Sequence, residues 1–448
     1  MIVMKFGGTS VADATAIAAL ASAVADARAD HPLVVVSAMS GVTDTLVAIT
    51  AAMLHGEHRA VSAARETLRD RHLEVASDLG VMEQVHADLE AHLERLGTLV
   101  TDRRELTAAG RDAILGTGEL LSSCLVAAAA LADRGMPAVW CDARRVIRTD
   151  ARFGAAIPDQ AAIRQLAAQE LRPHLDAGAL LVTQGFIGAT ATGEPTVLGR
   201  GGSDFTAALL GAALDAERVE IWTDVSGLMT ADPRIVPDAH VLAEATYDEA
   251  AELAAFGAKV LHPATQLPLV EAGIPIVIRN TFAREAPGTR IAAETATNAP
   301  QSVRSISIKR GVTVLQVRAA RMLGAFGFLR RIFEVFERHE IVVDVLATSE
   351  VSVSLTVDPS PRLEQVVRDL AELGEVTLRE HRAVIAVVGG AIRDTPGIAA
   401  RVYQAIADVN VEMTSQGAST SNLTFIVREE EGPRVVRALH ATFFGGPT

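Results

Sequence analysis

Short runs of apolar, β-branched residues alternate along this chain with longer stretches whose apolar positions recur every three or four residues. The first pattern predicts strands and the second amphipathic helices. "IVMKF" (2–6) and "LVVVS" (33–37) read as strands on either side of a helix over 11–29. Unbroken β-branched runs of this kind suit a parallel sheet covered on both faces. Residues 57–96 carry helical spacing with no strand signal, and 106–135 predict one helix or two, ending at Gly135. Beyond Pro137 the alternation resumes, with strands at 138–142, 179–188, 218–225 and 275–279 and helices at 159–172, 204–214 and 246–256. Together these predict an α/β unit over 1–295, a largely parallel central sheet between helices. The polar stretch 293–302 reads as a linker.

The remainder of the chain carries an internal repeat. Segments beginning at Gly327 and Gly397 share helix, strand, turn and strand patterns at a constant offset of 70, which aligns Phe336 with Ile406, Ile341 with Val411 and Leu355 with Phe425. Each is preceded by a further strand, "VTVLQV" (312–317) and "AVIAVVG" (383–389). Two small α+β units are expected, 303–380 and 381–448, the final segment packing back on the first. A seam between such copies is a natural place for a small molecule.

Composition narrows the options. Of 448 residues 49% are hydrophobic and 21% charged, enough apolar material for substantial cores. The net charge of -14 disfavours nonspecific binding to nucleic acid or to an anionic membrane. Two cysteines, Cys124 and Cys141, make no disulfide framework, so a reduced cytoplasmic setting is expected. No basic leader followed by a long apolar segment opens the chain, and "LVAAAALA" (125–132) is far shorter than the ~20 residues needed to span a bilayer.

Four glycine-plus-charge motifs fall where predicted strands end. "KFGGTS" (5–10) sits at the end of the first strand; its glycines let backbone approach an anion, and alternation along the strand can turn Lys5 inward. It lacks the spacing of a P-loop or a dinucleotide fingerprint. In "GRGGSD" (199–204), Gly201 and Gly202 suit a tight turn, Ser203 a helix cap and Asp204 the first helical turn. Arg200 adds a planar fork for a carboxylate or phosphate, and Asp204 can pair with Lys5. "WTDVSGLMTADPR" (222–234) puts Thr223 and Asp224 beyond a strand, with Met229 and Arg234 behind them. "FGAKVLHP" (256–263) contributes Lys259. Taken singly, each motif also fits an ordinary turn with solvated charge.

These motifs, together with "SAMSGVTD", "TGELLSS" and "TQGFIG", resemble those of the aspartate kinases of the amino-acid kinase family. The duplicated tail is similar to the paired ACT domains of the lysine-sensitive monofunctional type. The resemblance runs through the whole chain in order. It implies transfer of the ATP γ-phosphoryl to the side-chain carboxylate of L-aspartate, giving 4-phospho-L-aspartate at the head of lysine, threonine and methionine biosynthesis. Catalytic roles would fall on Lys5 and Asp204. Arg200 would bind the substrate α-carboxylate and Glu119 its α-ammonium, with Thr43, Phe186 and Ser203 completing the pocket. Lys5, Gly7, Gly8, Thr223, Asp224, Met229, Arg234 and Lys259 would face ATP. Mg²⁺ would arrive on the nucleotide phosphates, with no resident metal ligands. Met322, Gly327, Phe328, Leu329, Asp344, Ser349 and Glu350 match effector-binding stretches, with lysine the first expectation as inhibitor and threonine a second. Two departures stand out: Met229 where the family often has an aromatic, and Gly324 where relatives often carry histidine. A homodimer through the ACT units is implied, a tetramer being open. Rival expectations are a glutamate or carbamate kinase and a silent amino-acid-binding regulator. A fused dehydrogenase is disfavoured, because the sequence stops after the second repeat copy.

Overall fold

The computed structural model describes all residues except 102–105, 135–137, 257–262, 296–302, 320–321, 323–325 and 446–448. Most of the expected linker therefore lies outside the described residues. The chain divides into two units, one formed by Met1–Leu228, Ala243–Tyr247 and Val260–Ala296, the other by Met229–Leu242, Asp248–Lys259 and Thr297–Thr448.

In the first unit, β1 (Ile2–Phe6), β2 (Pro32–Val36), β3 (Ala138–Cys141), β5 (Leu180–Gln184), β8 (Val219–Thr223), β9 (Glu244–Thr246), β10 (Ile276–Asn280) and β11 (Thr289–Ala292) form one sheet in the order β3-β5-β2-β1-β8-β10-β11-β9. All neighbours run parallel except β10 and β11. Every residue of β1, β2 and β5 is buried, which is why these strands carry no polar alternation. A small second sheet joins β4 (Arg148–Thr149), β6 (Ile187–Thr190) and β7 (Pro195–Val197).

The long helical region breaks into His58–Asp78 and Met82–Thr101, separated at Gly80, whose φ of 69° ends the first helix. The region 106–135 likewise forms two helices, Ala108–Leu115 and Thr117–Arg134. Read as one stretch, Ala108–Ala130 is long and apolar enough to cross a membrane, but 89% of its most apolar window is buried inside the protein. The helix Val42–Leu54 carries no expectation from the sequence; its buried Val42, Leu46 and Ile49 are diluted by threonines and alanines.

The second unit is built on a six-stranded antiparallel sheet: β12 (Ser305–Arg318), β13 (Val343–Thr348), β14 (Ser352–Val357), β15 (Glu375–Val388), β16 (Met413–Gln416) and β17 (Asn422–Arg428), ordered β13-β14-β12-β15-β17-β16. The repeat is visible in its register. Leu315 pairs with Leu355, and Ile385 with Phe425, each member 70 residues on. Gly327 and Gly397 each cap a helix at positive φ, 74° and 85°. β12 and β15 are both longer than expected and serve both copies. The halves of β12 meet at an irregularity beside Gly311 (φ 76°). Leu315 and Val317 enter a core with Phe328, Ile332 and Leu355. Val303 and Ile306 enter another with Phe425 and with Val435, Val436 and Leu439 of the last helix, Gly432–Phe444. The first copy is thus inserted between the parts of the second, and the 380/381 division falls within β15.

Candidate active site

β1 sits between β2 and β8, where the strand order reverses, and open α/β sheets bind ligands beyond such a point. Lys5 is the second-last residue of β1, opposite Val35 and Ile221, and is almost fully buried. Its Nζ lies 2.6 Å from Asp204 Oδ1, so an ammonium that would be costly alone is held by a partner. Gly7 then donates its N–H to Trp222 O at 3.1 Å, and Gly8 O accepts from Ser40 N at 3.1 Å. A Cβ on Gly8 would come 3.0 Å from Ala38 O, so glycine lets the loops after β1 and β2 lie against each other. Arg71, on the helix His58–Asp78, spans the same loops, donating to Ser40 O at 2.8 Å and Ala12 O at 3.0 Å.

Asp204 lies in the first turn of the helix Gly202–Ala213, where a carboxylate faces the positive end of the dipole. The helix starts two residues earlier than expected. Its N-cap is Gly201 at φ 70°, so Ser203 is inside the helix and does not cap it. A Cβ on Gly185 would fall 2.5 Å from Ser203 Cβ, and one on Gly202 2.7 Å from the Phe186 ring. Phe186 holds a positive φ of 69°, its N–H bonded to Thr206 Oγ1 at 3.0 Å. Two bare α-carbons therefore let strand, aromatic ring and helix start meet.

These elements enclose a cavity of about 770 Å³. Lys5, Gly8 and Asp204 line it, as do all five residues expected around the substrate: Thr43, Glu119, Phe186, Arg200 and Ser203. Arg111 and Asp44 also line it; Asp44 closes the motif "SAMSGVTD" without an expected role of its own, and Arg111 belongs to none of the motifs. Arg200 is exposed and makes no ion pair among the described residues. Glu119, at the start of the helix Thr117–Arg134, is 3% exposed. Burial pushes its carboxyl up to about 8, against the pull of the backbone N–H groups of Glu119 and Ala38, and its Oε2 has no hydrogen-bond partner. A buried carboxyl with a spare acceptor, facing a cavity, is suited to an incoming ammonium.

The nucleotide-side residues are more scattered. Thr223 ends β8 and its Oγ1 donates to Asp224 Oδ1 at 3.1 Å. Met229 and Arg234 belong to the second unit, where Arg234 forks onto Asp232 at 2.7 Å and holds that carboxyl below its usual range. Lys259 lies outside the described residues. Among the described residues no group of three or more His, Cys, Asp or Glu is arranged to hold a metal.

In the second unit, Met322 packs on the core containing Phe328, while Leu329 is exposed beside the cap residue Gly327. Ser349 Oγ lies 2.8 Å from Ser352 Oγ and Glu350 is exposed. Asp344 holds a partner the sequence does not suggest, the ammonium of Lys309 at 2.7 Å, which also reaches Asp358 at 2.8 Å. Gly324 lies outside the described residues.

Residues 1–280 match the profile of the amino acid kinase family, and residues 385–443 that of an ACT domain. The chain belongs to the amino acid kinase family. It is 39% identical to the lysine-sensitive aspartokinase 3 of Escherichia coli (strain K12), covering 99% of each chain, and 38% identical to the chloroplastic aspartokinase 3 of Arabidopsis thaliana, covering 99% of this chain and 81% of that one. The structure of E. coli aspartokinase III in complex with lysine and aspartate (T-state) superposes with a TM-score of 0.87 at 39% identity, covering 99% of both chains. The same enzyme with aspartate and ADP (R-state) gives 0.84 at 38% identity, covering 99% of this chain and 100% of that one. Within the family the chain is therefore grouped with the aspartokinases.

Proposed function

We propose that this chain phosphorylates the side-chain carboxylate of L-aspartate with MgATP, and that lysine is its feedback inhibitor. The observation that carries the reading is one cavity holding the Lys5–Asp204 pair, the buried Glu119 and the unpaired Arg200. Arg200 and Glu119 offer opposite charges to the α-carboxylate and α-ammonium of an amino acid. The relatives named above as aspartokinases, and the solved complexes with aspartate, support aspartate as that amino acid.

The chemistry asks for no base. An aspartate side chain is ionised at neutral pH, its reference pKa being about 3.9, and can attack phosphorus directly. What the protein supplies is alignment of two anions and stabilisation of the charge gathering on the γ-phosphoryl oxygens. Lys5 does this with its ammonium, kept in place by Asp204, and the amides after Gly7 and Gly8 add neutral donors. Thr223 and Asp224, with Met229, Arg234 and Lys259, are assigned to the nucleotide, and Mg²⁺ enters as part of MgATP. Lys5→Ala should lower kcat about 10²–10³-fold, whereas Glu119→Ala should chiefly raise the KM for aspartate. Equal, small effects from both would reject the assignment. An ATP-dependent hydroxamate assay across acidic substrates separates this activity from glutamate and carbamate kinases.

For regulation, a lysine effector would place its side-chain ammonium near Asp344, which it would share with Lys309, and its amino-acid backbone near Ser349 and the Met322–Leu329 stretch. Initial rates that fall with threonine but not with millimolar lysine would overturn that choice. The apolar side chains of Phe326, Phe333 and Val342, exposed on the second unit, support association through the ACT region as a homodimer. The unpaired thiols of buried Cys124 and half-buried Cys141, pushed up to about 12 and about 11, suit a reduced cytoplasmic setting.

A further inference from the structure

We infer that Asp112 is a positioning residue for Arg200, setting the aspartate affinity of the cavity through the backbone without touching the substrate. This rests on the assignment of Arg200 to the substrate carboxylate.

Asp112 lies in the helix Ala108–Leu115 and is 1% exposed. Its Oδ2 accepts two backbone N–H groups from distant parts of the chain, Gly154 at 2.9 Å and Val197 at 3.0 Å. Its Oδ1 is buried without a partner. Both donors belong to residues that line the cavity. Their segments are also stitched to each other, Ala156 donating to Val197 O at 2.9 Å. Asp112 therefore closes a three-way junction of helix, turn and strand directly beneath the site.

Arg200 follows Val197 by three residues. Between them Gly199 holds φ 77°, and a Cβ there would come 3.3 Å from Gly154 O, so the turn at Gly154 and the approach to Arg200 are in contact. The Arg200 side chain has no ion pair among the described residues, so what the protein fixes is the backbone position from which its guanidinium reaches into the cavity. That backbone is anchored by Asp112. A carboxylate suits the role because it only accepts, so it meets two amides with one oxygen and brings no donor into the core. Burial raises its pKa, and the two amides counteract the rise.

The test measures initial rates against L-aspartate and MgATP for Asp112→Ala and Asp112→Asn, each in the native and the Arg200→Ala backgrounds. Removing a buried charged acceptor from two amides should raise the aspartate KM about ten- to hundredfold, with the MgATP KM little changed. Asparagine, whose amide oxygen can take both bonds, should recover most of the loss. In the Arg200→Ala background the alanine change should add little, the non-additivity expected of residues acting in series. An equal rise in both KM values, or an undiminished effect without Arg200, would mean a general structural role and overturn the inference. If Arg200→Ala alone raises the aspartate KM while Asp112→Ala does not, the inference fails and the Arg200 assignment stands. If Arg200→Ala has no effect, both fail. Should the alanine variant not fold, Asp112→Ser, which keeps one acceptor, carries the same coupling test.

Discussion

Among single residues, two buried titratable groups carry pH predictions, Glu119 in the proposed substrate pocket and His72 in the helix His58–Asp78. Glu119, pushed up to about 8, holds a proton at neutral pH, and in the role proposed for it an incoming ammonium would displace that proton. Binding there would favour the ionised form and release the proton, so the aspartate kcat/KM should climb as pH rises toward about 8 and then level. Glu119→Gln should flatten that limb while lowering affinity, which a pH–rate profile would reveal. His72 is buried, bonded through Nδ1 to Leu68 O at 2.7 Å, and burial pulls its pKa down to about 4. The unfolded chain takes up that proton near the ordinary value of about 6.5, the native chain only near 4, so the contribution of His72 to stability is lost as pH falls through this window, while Glu119, which keeps its native proton up to about 8, acts in the opposite sense. His72→Leu should remove that contribution, read in urea unfolding at stepped pH as the difference between the slopes of variant and native chain from about pH 6.5 to 4; identical slopes would assign acid sensitivity elsewhere.

Between elements, glycines fix how closely strands and helix ends meet. Gly185 follows β5, and its missing Cβ leaves room for Ser203; the 2.5 Å approach leaves no space for a methyl, and Ser203 Cα, at 2.7 Å, cannot rotate away. Gly185→Ala should push the start of the helix Gly202–Ala213, and Asp204 with it, away from Lys5. Misplacement of this order costs up to about a hundredfold in rate, to be read as kcat/KM with the unfolding midpoint measured alongside. Activity close to that of the native chain would show that the helix start can move without disturbing the Lys5–Asp204 pair. The motif around Gly201 and Gly202 is legible in the sequence as a turn into a helix. Its cap is not, because serine and glycine are both good caps and the choice turns on the positive φ of Gly201.

Across the molecule, the boundary between catalytic and regulatory regions does not follow chain order. Met229–Leu242 and Asp248–Lys259 fold with the second unit. There Ser305 Oγ donates to Met229 O at 2.7 Å, Ile306 N to Thr230 O at 2.8 Å and Ser307 Oγ to Phe256 O at 2.6 Å. Ala231 and Val236 join the core of the second ACT copy. A fragment ending at 295 should therefore leave these segments without their partners and be poorly soluble and inactive, which expression, circular dichroism and aspartate-dependent ADP formation would check. A soluble, active fragment would show that the first unit folds without them.

The strand–helix alternation, the internal repeat and the motifs that converge on one cavity could all be read from the order of residues alone, because each is written in local spacing and glycine placement. Burial pressure makes apolar periodicity local, and close approach makes glycine obligatory. Which distant groups meet was settled by folding. Arg71 reaching two loops, Asp112 gathering two amides and Lys309 pairing with Asp344 each depend on contacts across tens of residues, for which local spacing carries no signal. Long strands shared by two copies, and segments lent by one region to the other, are likewise set by which faces remain to be buried once the chain has folded.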